Sequence, residues 1–194
     1  MYISEILPVA GMVKAKTGSF YLTERVTIPG ASAAGTRVQG TIDLGAYVNV
    51  PTGQAIAIES VDYIFQVGST NKGTVDGMLV DNGGLTVQLT DLNPGTVFIR
   101  ADDHSLISSA SMNIDVANCI ASHSSDFYPD NFGPSKLAEA FLCVNDTLFL
   151  VGGNDNSALT ASDVNITARI KCRVVKLDKE SWMAIAIQST ASDN

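Results

Sequence analysis

The residues of this chain that could do chemistry are few, and their spacing decides what that chemistry can be. His104 and His123 are its only histidines. Nucleophilic catalysis needs a nucleophile, a base and an orienting group that converge in space. Asp102-Asp103-His104 and His123-Ser124-Ser125-Asp126 hold the right residue types. Both stand in polar loop sequence, where His, Ser and Asp are common, and no Gly-x-Ser-x-Gly elbow occurs. Each histidine is expected to be an exposed loop residue, and no catalytic residue is assigned. Asn154-Asp155-Asn156 with Asp163 offers hard oxygen ligands of the kind calcium takes, without the ligand spacing or closing Glu of a calcium loop. Turn formation accounts for those residues, so no metal ligand is assigned.

Cys119, Cys143 and Cys172 are odd in number and irregular in spacing, which fits neither a disulfide framework nor a zinc site. Free thiols favour synthesis in a reducing compartment. Gly83-Gly84 and Gly152-Gly153 lead into turns and strands rather than a helix N-terminus, so neither is a phosphate cradle. No cofactor is expected. Met1–Gly11 lacks a basic leader region, and no run approaches the ~20 apolar residues that span a bilayer.

The elements that must position these residues are strands. Val164, Ile166, Ala168, Ile170, Cys172 and Val174 alternate with Asn165, Thr167, Arg169, Lys171 and Arg173, giving one apolar and one basic face. A second alternation runs over 37–50, with Val38, Ile42, Leu44, Ala46, Val48 and Val50 on one side. It ends at Pro51-Thr52-Gly53, and the short link predicts that 54–66 is its antiparallel partner. Asp81-Asn82-Gly83-Gly84 predicts a hairpin between 78–80 and 85–90. Strands are expected at 97–100, near 112–116 and over 143–151. A short helix is expected from Pro134 to Leu142. The tail after Asp178 suits either a helix or a strand, with a lean to helix.

Strands separated by turns, with almost no helix, predict an all-β fold: an antiparallel β-sandwich of about eight strands with one or two short helices. Long strands and long crossovers fit a jelly roll, and the only Trp, Trp182, follows all three cysteines, unlike an immunoglobulin pattern. Residues 1–19 read as an N-terminal arm and 20–194 as a single domain.

The bulk composition narrows the function. Hydrophobic residues make up 45% of the chain, charged residues only 16%, and the net charge is −8. The densest basic run, Arg169, Lys171, Arg173 and Lys176, reads as a solvated sheet face balanced by acidic neighbours rather than a nucleic-acid stripe. So apolar and weakly charged a chain either covers part of its surface with its own copies or simply fills a large all-β core. Phe127-Tyr128-Pro129-Asp130-Asn131-Phe132 is a stiff aromatic loop, and Phe127, Tyr128 and Phe132 are candidate subunit-interface residues.

The C-terminal third carries a resemblance. Phe141-Leu142-Cys143-Val144-Asn145-Asp146-Thr147-Leu148-Phe149-Leu150, the Gly152-Gly153-Asn154-Asp155-Asn156 turn, and Val164–Leu177 running into the tail resemble single jelly-roll major capsid proteins of small tailless icosahedral viruses of bacterial or archaeal hosts. The resemblance covers roughly residues 36–188. It implies a non-enzymatic, shell-forming homo-oligomer, made in the host cytoplasm and resident in the virion, with other virion proteins as further partners. Many such coats carry a basic N-terminal arm, which this chain lacks. That departure implies no direct sequence-specific nucleic-acid binding, and a genome handled by another protein or set behind an internal lipid layer. The alternative is a β-sandwich module that binds carbohydrate or a host surface.

Overall fold

The computed structural model describes residues 13–74, 77–125 and 141–190. Ten strands are described: β1 (Lys14–Ala15), β2 (Phe20–Ile28), β3 (Arg37–Asp43), β4 (Gln54–Val67), β5 (Gly83–Thr90), β6 (Leu106–Asp115), β7 (Ile120–Ser125), β8 (Phe141–Cys143), β9 (Thr147–Asp155) and β10 (Val164–Lys176). One α-helix, α1 (Lys179–Thr190), follows.

Every strand pairing is antiparallel. The first sheet runs β10, β4, β8, with β1 and β2 placed one after the other along the far side of β10. The second sheet has the order β3-β9-β5-β6-β7. The chain therefore crosses between sheets from β2 to β3, β3 to β4, β4 to β5, β7 to β8, β8 to β9 and β9 to β10. Sheet-to-sheet crossing of this kind, with sequence-distant strands as neighbours, is the jelly-roll sandwich.

The alternation in β10 is realised as expected. Val164, Ile166, Ala168, Ile170 and Cys172 are fully buried and join one core cluster with Ile56, Ile58, Leu85, Leu89, Leu148 and Leu150. The core thus lies between the sheets, as it must when each sheet has one apolar face.

Several local expectations fail. The run 37–50 is not one strand: β3 ends at Asp43, and Val50 is exposed. The Asp43 carboxylate accepts the Gly45 N–H (2.7 Å), offering the backbone a turn in place of a ladder. The N–H groups of Tyr47 and Val48 both return to the Leu44 carbonyl. Asn49 then caps a single 3₁₀ turn, Val50–Thr52, whose Pro51 can donate no ladder bond. Gly53 closes it at φ 69°, where a side chain would collide with the Leu177 carbonyl. This connection carries the chain to the other sheet, so β4 pairs with β10 and β8 and β3 pairs with β9.

Residues 78–80 do not form a hairpin with β5. Leu79 bridges Leu159, and the Val80 N–H donates to the Ala158 carbonyl. Residues 97–100 form no strand; the Ile99 N–H and C=O are both satisfied by the Gln88 side chain (2.8 and 3.0 Å). The strand expected near 112–116 is longer and begins at Leu106. The run 143–151 divides into β8 and β9 around a turn at 144–146. Of the helix expected over 134–142, the first part lies outside the described residues, while Phe141 and Leu142 belong to β8. The tail is helical.

The facing of β10 is open to direct test. Ile170→Asp should cost about 4 kcal/mol or more by burying an unpaired carboxylate. Arg169→Ser, on the opposite and exposed face, should stay within about 0.5 kcal/mol. Urea unfolding followed by circular dichroism reads both; a loss at Arg169 as large as or larger than that at Ile170 would overturn the facing.

Candidate functional site

The outer face of the first sheet is built around a charge. In β4, Ile56 and Ile58 point into the core, but so do Val61, Phe65 and Val67. The parity changes because Glu59 is an extra residue: Lys171 pairs with Ser60 and Cys172 with Ile58, leaving Glu59 unopposed. This is a β-bulge, and it re-aims side chains to the opposite face. Glu59 is only 3% exposed. Its carboxylate is ion-paired with the guanidinium of Arg173 and with Lys171 Nζ at 3.4 Å. The Ser19 hydroxyl lies 3.0 and 3.2 Å from its two oxygens.

The basic stripe read from the sequence is therefore largely spent. Lys171 and Arg173 are balanced by an acidic neighbour, as expected, but the balance is struck in a buried site rather than a solvated one. Arg169 sits over the Tyr21 ring at 5.1 Å.

A second apolar layer covers the same face beside this cluster. Ala55, Ala57, Val144, Val175 and Leu177 form a separate buried cluster, and Val13, Leu142, Trp182, Ile185 and Ala186 pack on it. The helix begins where Asp178 accepts the Ser181 N–H (2.7 Å) and hydroxyl (3.1 Å). Those bonds hold the Asp178 carboxyl below the usual carboxylate range. Trp182-Met183-Ala184-Ile185-Ala186-Ile187 is an unbroken apolar run, so α1 has no polar face along its middle. Trp182, Ile185 and Ala186 turn inward, while Met183 and Ile187 stay 59% and 60% exposed.

One end of the sandwich holds a second buried carboxyl. Asp91, 2% exposed, follows β5. Its N–H donates to the Ser105 carbonyl (3.0 Å), and Asn145 Nδ2 reaches its Oδ2 at 3.2 Å. Its Oδ1 is buried with no hydrogen-bond donor among the described residues. Burial raises this carboxyl to about 6; its own backbone and Asn145 oppose the rise, while the charge on Asp103 adds to it. Cys143 and Cys172 are buried, and burial pushes both thiols up to about 12, so neither is a thiolate nucleophile. Cys119 is exposed.

The candidate catalytic and metal residues are dispersed. His104 is exposed in the turn before β6, and the neighbouring Asp103 Oδ1 accepts the Ser105 N–H (2.8 Å) and hydroxyl (2.7 Å). His123 lies on β7, edge-on to Phe65 at 6.2 Å. Asn154 is buried and donates to the carbonyls of Ala33 and Ser157. Asp155 is ion-paired with Arg37, and Asp163 accepts the Gly30 N–H at 2.7 Å. The candidate interface residues Phe127, Tyr128 and Phe132 lie outside the described residues. Ahead of β2, β1 pairs with β10, and the Lys16 N–H donates to the Val174 carbonyl.

Sequence reasoning missed Glu59 and Asp91. The signal for Glu59 was present: the apolar parity of β4 changes between Ile58 and Val61. Asp91 follows a strand and looks like any turn Asp.

Two measurements test these groups. Glu59→Gln should cost about 2–4 kcal/mol, less than the ~3–5 of a fully buried pair because Lys171 and Arg173 keep some solvent. The triple variant Glu59→Leu, Lys171→Leu, Arg173→Met should recover much of that loss in the same urea titration. Asp91 has a folded-state pKa above its unfolded value of about 3.8. Its contribution to stability is therefore complete below about pH 4 and lost as pH rises through 6. At 1.36 kcal/mol per pKa unit, the loss is at most about 3 kcal/mol. Asp91→Asn should flatten the stability profile between pH 4 and 7, and an unchanged profile would assign that pH dependence elsewhere.

Among the described residues, no helix is long and apolar enough to cross a membrane. No family model and no curated protein matches the chain. Among solved structures it is similar to turnip yellow mosaic virus, at a TM-score of 0.33 and 7% identity, over 93% of this chain and 92% of that one. It is also similar to Desmodium yellow mottle tymovirus, at a TM-score of 0.28 and 9% identity, over 89% of this chain and 98% of that one. Both likenesses are loose, and the jelly-roll assignment rests on the strand order itself.

Proposed function

We propose that this protein is a non-enzymatic structural subunit that assembles with copies of itself into an icosahedral virus capsid. The observation that carries the proposal is α1. A helical stretch that is apolar all round, as 182–187 is, belongs in an interior. Here one side is seated on Ala57, Val175 and Leu177, and the other leaves Met183 and Ile187 in solvent. A subunit whose outer layer is finished only by a neighbour accounts for this. The low charge of the chain supports the same reading, as do its jelly-roll order, its unreactive buried thiols and its dispersed histidines.

Closed shells repeat a few contacts around symmetry axes. We assign Met183 and Ile187 to one such contact. Phe127, Tyr128 and Phe132, with residues of the arm 1–19, are assigned to others, since aromatic anchors are enriched at interfaces. Other virion proteins are further partners. The acidic balance and the consumed basic stripe fit a shell that assembles without nucleic acid and encloses a genome held by another protein or an internal lipid layer.

Nuclease-treated protein should sediment as pentamers, hexamers, trimers or whole shells and appear as closed particles by electron microscopy. Met183→Glu with Ile187→Glu should shift it to monomer while leaving the circular dichroism spectrum intact, because both side chains are exposed. A wild-type protein that remains monomeric at high concentration across pH and salt would overturn the capsid assignment.

A further inference from the structure

The outer face of the second sheet carries a groove that the assembly proposal does not use. Cross-strand partners share a face. The pairs Thr86–Ser111, Gly84–Asn113 and Asn113–Ser122 set hydroxyl and amide groups side by side, and Gly84–Asp155 brings in a carboxylate. Gly83 and Gly84 supply no side chain to fill the space between them. A Cβ on Gly84 would lie 3.2 Å from the Asn113 amide oxygen, so glycine leaves that group accessible. The resulting groove is about 430 Å³. It continues past Ile114 and Asp115 into a more apolar recess of about 370 Å³ bounded by Val116 and Ile120, where Ile120 is 59% exposed.

The charges in the groove select the ligand. Asp155 is already neutralised by Arg37 and also accepts the Thr86 hydroxyl at 3.3 Å. Asp115 is half-buried, and its carboxyl is held below the usual range by the Asn118 side chain and N–H. Arg37 beside the groove is thus engaged, and Asp115 adds a second carboxylate. Phosphates and acidic sugars are disfavoured. By contrast, the Asn113 and Asn156 amides and the Ser122 hydroxyl have no side-chain partner among the described residues. They offer both donors and acceptors, at the spacing of neighbouring strands. Next to them, Ile120 offers an apolar surface of methyl size.

We propose that this groove binds a neutral, N-acetylated sugar, with hydroxyls on Asn113 and Ser122 and the acetamido methyl on Ile120. The binding is independent of assembly and needs no metal.

Saturation-transfer NMR reads a small ligand on a free subunit and on a large shell alike, and calorimetry gives the affinity. With N,N′-diacetylchitobiose as the probe, transfer should be strongest at the acetamido methyl, with a dissociation constant of ~1 mM. Cellobiose, which has hydroxyls but no acetamido group, should bind about 10-fold more weakly. Asn113→Ala and Ile120→Ala, both exposed positions, should each weaken binding about 5-fold without changing the melting temperature. The proposal is overturned by an absence of transfer at about 10 mM sugar, by binding that both variants leave unchanged, or by tighter binding of an acidic sugar such as N-acetylneuraminic acid.

Discussion

A single buried carboxylate sets the terms for one side of this molecule. Glu59 cannot stay ionised in the sheet without compensation, and both its cations come from β10, two residues apart on one face. For Glu59 to meet them, β4 must carry one residue more than β10 at that point. The bulge follows, and with it the change of parity that lets Val61, Phe65 and Val67 continue the core begun by Ile56 and Ile58. The Ser19 hydroxyl completes the site from the stretch where the chain passes from β1 to β2. Core facing, bulge and the attachment of the β1–β2 connection are thus one solution to one electrostatic problem.

Polar side chains play a matching part at the sandwich ends. Asn154 ties the loop after β2 to the turn after β9, and Asp163 holds Gly30 across the same gap. Gln88 receives both backbone groups of Ile99 and lays the β5–β6 connection over the second sheet. Long crossovers leave many backbone groups that no ladder can satisfy, and these side chains satisfy them. Residues that looked like metal ligands in the sequence are the ones employed this way.

The fold class was legible because β10 alternates strictly from Val164 to Val174 and sends one face of that run into the core between the sheets, which is the strongest form of the period-two signal. The same signal misled at 37–50. Ala46, Val48 and Val50 keep the period, but Asp43 turns the chain with its own side chain and Pro51 cannot donate, so local chemistry ends the strand early. Pairing was harder still. Proximity in sequence made β4 the natural neighbour of β3, whereas the sandwich places them in different sheets. The ion cluster was half legible. Lys171 and Arg173 stood out as a basic face, but their acidic partner is more than a hundred residues away in sequence, and only the register brings it to them. Aromatic content drew attention to Phe127, Tyr128 and Phe132, while Met183 and Ile187 counted only toward the helix-or-strand reading of the tail, because an apolar run in a tail has no visible orientation until its inner face is occupied.

The arrangement of β1 and β2 along the same side of β10 has a mechanical consequence. Tension on the chain ahead of Val13 does not load the sandwich in shear, where many bonds would resist together. It peels an antiparallel edge, breaking bonds in sequence. The two-residue pairing of Lys14 and Ala15 yields first, and the force then reaches the point where Ser19 holds Glu59 before any of β2 is disturbed. The stretch from Lys14 to Ser19 is thus a short zip with a firm stop, and the nine paired residues of β2 lie beyond it.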